Sequence, residues 1–335
     1  MNLTPHSPIK SEILRILFQQ PNEQIGLETL LQAASFIPDE VHQALDEMHR
    51  LDKRIHYPQP GVLQYLPDET TLYPHAVVAR LSTRWWGKPV AAGKSLASTI
   101  DAARQWQAPN PAPGLVVTAD HQTAGRGRQG NRWQSPPGKD LLLTFCAAWQ
   151  DWPPAVSLLS LYITTAIAGI LETLLQRPVQ LKWPNDLMVD HQKLAGAIAE
   201  ADQPRGLAFL SIGMNVNSMP AHWPPGVREN ATSLAALTGA QWDREELLAQ
   251  CGMAWEHHWD ALLRDGGKAI FAEWHKRNNV TGNPVTLIYQ GKPLSGFARS
   301  IDEQGRLCLI DDAGNQRRLP AESVQNLRVL ARPNA

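Results

Sequence analysis

Residues 121–139 read HQTAGRGRQGNRWQSPPGK, and no other stretch narrows the possible folds as much. Gly125, Gly127 and Gly130 allow close backbone approach and positive φ. Arg126, Arg128 and Arg132 supply forked donors that match phosphate or carboxylate oxygens, with no acid among them. Such a loop is suited to holding an anion. Its glycines satisfy G-x-G-x-x-G and residues 115–118 ahead of it read as a strand, so a dinucleotide-binding doubly wound sheet is the first fold to weigh. That fold requires the glycine turn to open a helix. Here Pro136 and Pro137 forbid a regular helix start, and arginines fill positions where a tight strand-to-helix turn has no use for them. Helices and strands then mix without strict βαβ alternation, which favours an α+β domain.

Two further runs follow: LKWPND at residues 181–186 and KLAG at residues 193–196. Beyond residue 279 the texture changes to short strands, VTLIYQ, KPLSGFARSI and RLCLIDD, punctuated by Gly291, Gly305 and Gly314, which predicts a small barrel. The first 66 residues carry three apolar stripes at helical spacing: Ile9, Ile13, Ile16 and Leu17; Leu27, Leu30 and Leu31; Val41, Leu45, Met48 and Leu51. Residues 55–66 alternate around Pro58, Pro60 and Gly61 as a hairpin does. Three helices followed by a hairpin is winged-helix order.

The motifs AGRGRQGNRW (residues 124–133), SPPGKDLLLTF (135–145), KWPND (182–186), KLAGAIAE (193–200) and IGMNVN (212–217) resemble, in order and spacing, those of the biotin protein ligases. The likeness is to the group with an N-terminal winged helix, the bifunctional ligase/repressor type. It covers the catalytic core, with weaker similarity over the remainder. The resemblance implies an α+β fold in three units: a winged helix at 1–66, a mixed-sheet catalytic domain at 75–278 and an SH3-like barrel at 279–335. Residues 67–74 form the linker, and the Pro-rich residues 107–114 a surface crossing.

The activity implied is ATP-dependent biotinylation of a lysine on a biotin carboxyl carrier protein, of acetyl-CoA carboxylase or a similar carboxylase, through biotinyl-5'-AMP. ATP, Mg²⁺ and biotin are the implied ligands. Lys193 would bridge the biotin carboxylate and the α-phosphate, since a compact ammonium can serve several oxygens at once. Arg126 and Arg128 would belong to a lid that orders over the ligands. Biotin would meet Ser98, Thr99, Ile100, Gln122, Arg126, Gly127, Arg128, Lys193 and Gly196; Ile100 stands where many members carry Asn. ATP would meet Arg126, Arg128, Trp133, Lys182, Asn185, Asn215 and Arg328, with Asp186 as the Mg²⁺ ligand. The rivals are a lipoate or octanoyl ligase, of whose RRxSGGG motif no counterpart is found, and a biotin-sensing regulator without ligase activity, which need not keep Lys193 and Arg126.

Charge leaves the role of the first 66 residues open. Five basic residues (Lys10, Arg15, Arg50, Lys53, Arg54) stand against eight acidic ones (Glu12, Glu23, Glu28, Asp39, Glu40, Asp46, Glu47, Asp52), a net of −3. The candidate recognition helix opens with Asp39 and Glu40, which favours its dipole and disfavours phosphates. Operator DNA with an adenylate-dependent homodimer, or a structural or contact role, are both compatible. The whole chain, 335 residues at net charge −1, has no global attraction for nucleic acid or membrane. Cys146, Cys251 and Cys308 are too scattered for a disulfide framework or zinc site. No leader pattern opens the chain, so a cytoplasmic enzyme is expected. Residues 152–171 are uncharged and long enough to span a bilayer. Their Pro153, Pro154, Ser157, Ser160, Thr164 and Thr165, with aliphatic residues at helical spacing, predict a buried helix instead.

Overall fold

The computed structural model describes residues 3–106, 113–149 and 156–330. The Pro-rich crossing, except for its last two residues, and the Pro153-Pro154 pair lie outside the described residues.

The chain opens with β1 (Thr4–Pro5), α1 (Pro8–Phe18), β2 (Gln24–Gly26), α2 (Leu27–Ala33), α3 (Pro38–Arg50), β3 (Ile55–Gln59) and β4 (Val62–Tyr65). Proline at the start of α1 and α3 removes an N–H that a first turn leaves unpaired anyway. α3 buries Val41, Ala44, Leu45 and Met48 on one stripe, with Asp39 and Glu40 in its first turn and His49 and Arg50 in its last. Leu51, expected on that stripe, is 76% exposed: it follows the helix, where the chain turns away through Lys53 at φ 55°. The hairpin is present, and β2 adds a third strand in the order β2-β4-β3.

The central segment comprises α4 (Pro74–Arg80), β5 (Val90–Gly93), α5 (Thr99–Trp106), β6 (Val116–Ala119), β7 (Leu141–Ala148), α6 (Val156–Leu175), β8 (Gln180–Lys182), β9 (Asp186–Val189), β10 (Gln192–Asp202), β11 (Leu207–Met214), α7 (Leu234–Thr238), α8 (Arg244–Asp265) and α9 (Lys268–Arg277). Its seven strands, with β1 of the N-terminal stretch at one edge, make an eight-stranded sheet in the order β1-β5-β6-β7-β11-β10-β9-β8. β5 and β6 are parallel and the other pairs antiparallel. The glycine-arginine loop leaves β6 and returns as the antiparallel β7, so no helix follows the glycines and the fold is α+β. Strand alternation builds two cores. Leu141, Leu143, Phe145 and Ala147 of β7 join residues of α6 and α8 on one face, while Cys146 joins Ile100 and Ala103 of α5 on the other. α6 is a core helix: 72% of Leu158–Leu175 is buried. Cys146 and Cys251 are buried; Cys308 is half-buried.

Strands β12 (Asn283–Tyr289), β13 (Lys292–Ile301), β14 (Leu307–Asp311), β15 (Gln316–Leu319) and β16 (Val324–Val329) end the fold. Where the sequence predicts a closed barrel, pairing runs through one open order, β15-β14-β13-β12-β16. Its apolar side, with Val285, Leu287, Leu307 and Leu309, continues the main core.

Several contacts tie the N-terminal helices to the central segment, two of them polar and specific. Thr4 and Pro5 pair with Ala92 and Ala91, making β1 the edge strand beside β5. The second tie is a buried carboxylate, Glu245, which accepts from the Tyr65 hydroxyl at 2.6 Å and the Tyr73 amide at 2.9 Å and lies 3.7 Å from both Arg54 and Arg80. Burial pushes the Glu245 carboxyl up, against the opposing pull of Tyr65 and Arg54. α4 joins the N-terminal core to the main one: Ala76 and Ala79 pack with the N-terminal helices and Val77 with the main sheet.

Candidate active site

Gly196 on β10 and Gly213 on β11 are direct cross-strand partners, and together they leave a patch of sheet without side chains. A Cβ on Gly213 would lie 2.4 Å from Cε2 of Trp133; one on Gly196 would lie 2.9 Å from the Lys193 ammonium and 3.2 Å from Cζ3 of Trp133. The Trp133 indole therefore rests on bare backbone, half-buried, with its N–H unpartnered. The Lys193 ammonium stands 5.5 Å from the ring centroid, within cation–π range.

Lys193 is held from behind. Its amide donates to Asn230 at 2.7 Å, its carbonyl accepts from Thr232 at 2.9 Å, and β10 bulges between Lys193 and Ala195. Asn215 braces the same place, donating to the Thr232 carbonyl at 2.9 Å. In front, the Lys193 ammonium is 2.6 Å from Oδ1 of Asp186. Asp186 pairs in register with Lys182 across β8 and β9, and burial lowers the Lys182 pKa, with Lys193 and Arg328 adding to the effect and Asp186 opposing it. The exposed Arg328 lines an outer cavity of about 660 Å³ with Lys182, Asp186 and Lys193. Asn185 lines the inner cavity, and its amide donates to the Ala197 carbonyl at 2.6 Å, bracing the turn against β10.

On the other side of Lys193 lies an inner cavity of about 290 Å³, whose lining includes Ser98, Thr99, Ile100, Gln122, Gly127 and Gly196. A row of hydroxyls closes its end. Thr144 donates to Thr99 at 2.9 Å and lies 2.5 Å from the Ser211 hydroxyl. Gln122 accepts from the Thr99 amide at 2.8 Å, capping α5 and leaving its own NH₂ free to donate. Thr144, Ser211 and Gly213 were not singled out from the sequence. Thr144 and Ser211 are single hydroxyls inside the apolar runs LLLTF and FLSIG, and that interruption was the available signal.

The glycine-arginine loop folds into a narrow hairpin over this cavity. Gly127 donates to Asn131 at 2.7 Å, Trp133 donates to Gly125 at 3.1 Å, and Arg128–Gly130 forms the turned tip. No acid is near these arginines in sequence, but the fold supplies two. Arg126 lies 2.6 Å from Asp101 and 3.5 Å from Glu200. Arg128 donates to the Ala321 carbonyl, and burial lowers its pKa.

Residues 92–217 match the biotin/lipoate A/B protein ligase family, and residues 280–323 match the biotin protein ligase C-terminal domain. The biotin–[acetyl-CoA-carboxylase] ligase of Mycobacterium tuberculosis is 34% identical over 220 residues, covering 64% of this chain and 80% of that protein. The chain belongs to the biotin protein ligase family. Bifunctional ligase/repressor BirA of Escherichia coli is 33% identical over 200 residues, 59% of this chain, and the match spans 62% of BirA's length. A solved biotin protein ligase from Aquifex aeolicus in complex with biotin and ATP shares the fold with a TM-score of 0.63 at 25% identity, covering 72% of this chain and 100% of that one. In this chain the first matched segment carries the hydroxyl row, the glycine-arginine hairpin, Lys182 and Lys193. Arg328 lies beyond both segments.

Proposed function

We propose that this ligase joins biotin to ATP and then passes the biotinyl group to a carrier-domain lysine. In the first step a biotin carboxylate oxygen bonds to the α-phosphorus and the bond to pyrophosphate breaks. In the second, the lysine nitrogen bonds to the acyl carbon and AMP leaves with the carboxylate oxygen. The observation that carries this reading is the position of Lys193, whose ammonium faces the inner hydroxyl-ended cavity and also the outer basic one. A single cation there reaches both anions, which Coulomb repulsion alone would keep apart.

Biotin's ureido ring would take the inner cavity, where Ser98, Thr99 and the free Gln122 NH₂ offer donors and acceptors, with Ile100 as an apolar wall. Gly127 and Gly196 would let the ligand approach backbone. Triphosphate would lie toward Lys182 and Arg328, and the nucleoside against Trp133. Asn185 and Asn215 would act through the elements they brace. Mg²⁺ fits in a limited way. No cluster of three metal-ligating acidic, His or Cys side chains exists among the described residues, so Asp186 would be the lone carboxylate ligand and phosphates would complete the shell. When bound, the ion would neutralise phosphate charge.

Arg126 and Arg128 would close over the mixed anhydride and exclude water. Arg128→Gly is expected to speed loss of biotinyl-5'-AMP more than it slows its synthesis, by roughly 10-fold or more, the scale of one lost charged hydrogen bond. Labelling of bystander lysines should rise; unchanged labelling with unchanged adenylate dissociation removes Arg128 from the lid.

The decisive assay combines pure protein, ATP, labelled biotin and a biotin carboxyl carrier domain, with lipoate as control. Failure to release pyrophosphate or label the carrier overturns the reading. The enzyme would work in the cytoplasm, beside ATP and carboxylases.

For the remaining units we propose the division 1–66, 75–278 and 279–335, the first a winged helix and the last an SH3-like fold. The repressor name of the E. coli relative supports a DNA-binding role, with a homodimer as the form that would bind an operator, while the acidic start of α3 opposes it. Glu40, Gln43 and Glu47 also line a cleft of about 790 Å³ shared with Lys94 and Asp120 of the central segment. Asp39→Asn with Glu40→Gln should strengthen binding to biotin-gene promoters in a mobility-shift titration if α3 enters a groove. An indifferent result, with and without the adenylate, leaves this unit a contact or structural role.

A further inference from the structure

The tip of the lid hairpin is fastened to a different sheet from the one that carries its base. β6 and β7 hold the base. At the tip, both hydrogens of one amide are used: Gln129 Nε2 donates to the Glu322 carbonyl at 2.8 Å and to the Val324 carbonyl at 2.9 Å. Arg128 adds a third donor, to the carbonyl of Ala321. Three acceptors within residues 321–324 thus receive the two tip residues, just before residues 325–327, which wall the inner cavity. Gln129 also holds a left-handed backbone, φ 55° and ψ 39°, which a non-glycine residue keeps only where its surroundings fix it.

We propose that Gln129 is the positioning residue of the lid, a clasp through which the C-terminal sheet sets how fast the roof over the adenylate opens. The proposal rests on the ligase reading and on the lid role within it. Gln129 need not touch ligand. It acts through the backbone it fixes, which carries Arg126 and Arg128, while Asp101 and Glu200 hold the Arg126 side chain at the hairpin's base. The charge of the clasp residue matters as much as its size, because two carbonyl oxygens face it: a side chain of equal shape that accepts instead of donating must be expelled.

The test uses the full chain and pre-formed biotinyl-5'-AMP in a dissociation chase, alongside pyrophosphate release for the forward step. Gln129→Glu keeps the shape, removes both donors and sets a carboxylate against two carbonyls; adenylate release should accelerate roughly tenfold, on the scale of two lost hydrogen bonds, and more than formation changes. Gln129→Gly relaxes the left-handed backbone but also lacks the donors, so it should behave like Gln129→Glu. Gln129→Arg keeps donors aimed at the carbonyls and should restore slow release. Release at the wild-type rate in both Gln129→Glu and Gln129→Gly overturns the clasp, as does failure of Gln129→Arg to restore slow release. A wild-type enzyme that forms no adenylate at all defeats the ligase reading itself, which separates the two failures.

Discussion

Lys193→Ala should lower the rate of adenylate formation by at least about two orders of magnitude, the usual cost of removing one charged donor from a transition state of this kind, about 3 kcal/mol. The side chain is 35% exposed and fills no core space, so the fold should be unaffected. What is lost is the cation between two anions, and Asp186, 2.6 Å away, loses its partner and adds to the repulsion. Pyrophosphate release at saturating biotin and ATP measures the effect, with the thermal midpoint as the control for folding. Wild-type release by the variant sinks the assignment.

Gly213→Val should be nearly as damaging for a different reason. Its first new carbon would stand 2.4 Å from the Trp133 ring, so the indole must leave the sheet. Stacking of a base on an aromatic ring is worth about 1–3 kcal/mol, which corresponds to roughly a 5- to 150-fold weaker affinity for ATP, read by titration calorimetry. A cycle with Trp133→Ala checks the cause. If the clash acts only through the indole, the double variant binds ATP no worse than Trp133→Ala alone. Additive losses would place the role of Gly213 elsewhere.

Much of the site could be read from the sequence because its chemistry is concentrated in short runs. Arg126, Gly127, Arg128 and Trp133 lie within one loop, and Lys193 and Gly196 are three residues apart. Such proximity needs no tertiary knowledge. What escaped depends on which strand lies beside which, and in what register. Gly213 gains its meaning only because Gly196 is its partner across β10 and β11. Thr144 and Ser211 meet because they are paired on β7 and β11. Asp101 and Glu200 lie 25 and 74 residues from Arg126 along the chain, so a loop without acids in sequence acquires two in space. Asn185 lines the inner cavity, as its place in KWPND leads one to expect, and its amide also braces the Ala197 carbonyl, a contact no local pattern announces. In the N-terminal stretch the apolar periodicity locates α1 and α3, but periodicity does not say where a helix stops, so it extends past Arg50 to the exposed Leu51. The pairing of Thr4 and Pro5 with β5 left no trace in any local pattern, since two residues have no period.

That pairing bears on how the protein can be taken apart. A fragment cut at the boundary the sequence suggests, beginning near residue 75, would leave the outer edge of β5 unpaired and open to strand addition by another chain. It would also leave Glu245 without Tyr65 and Arg54, a carboxylate fitted to a protein interior now facing solvent or a void. The N-terminal unit is therefore poor material for recombination: grafting it onto another ligase, or deleting it to obtain a minimal enzyme, requires a replacement for the edge strand and a new residue at position 245.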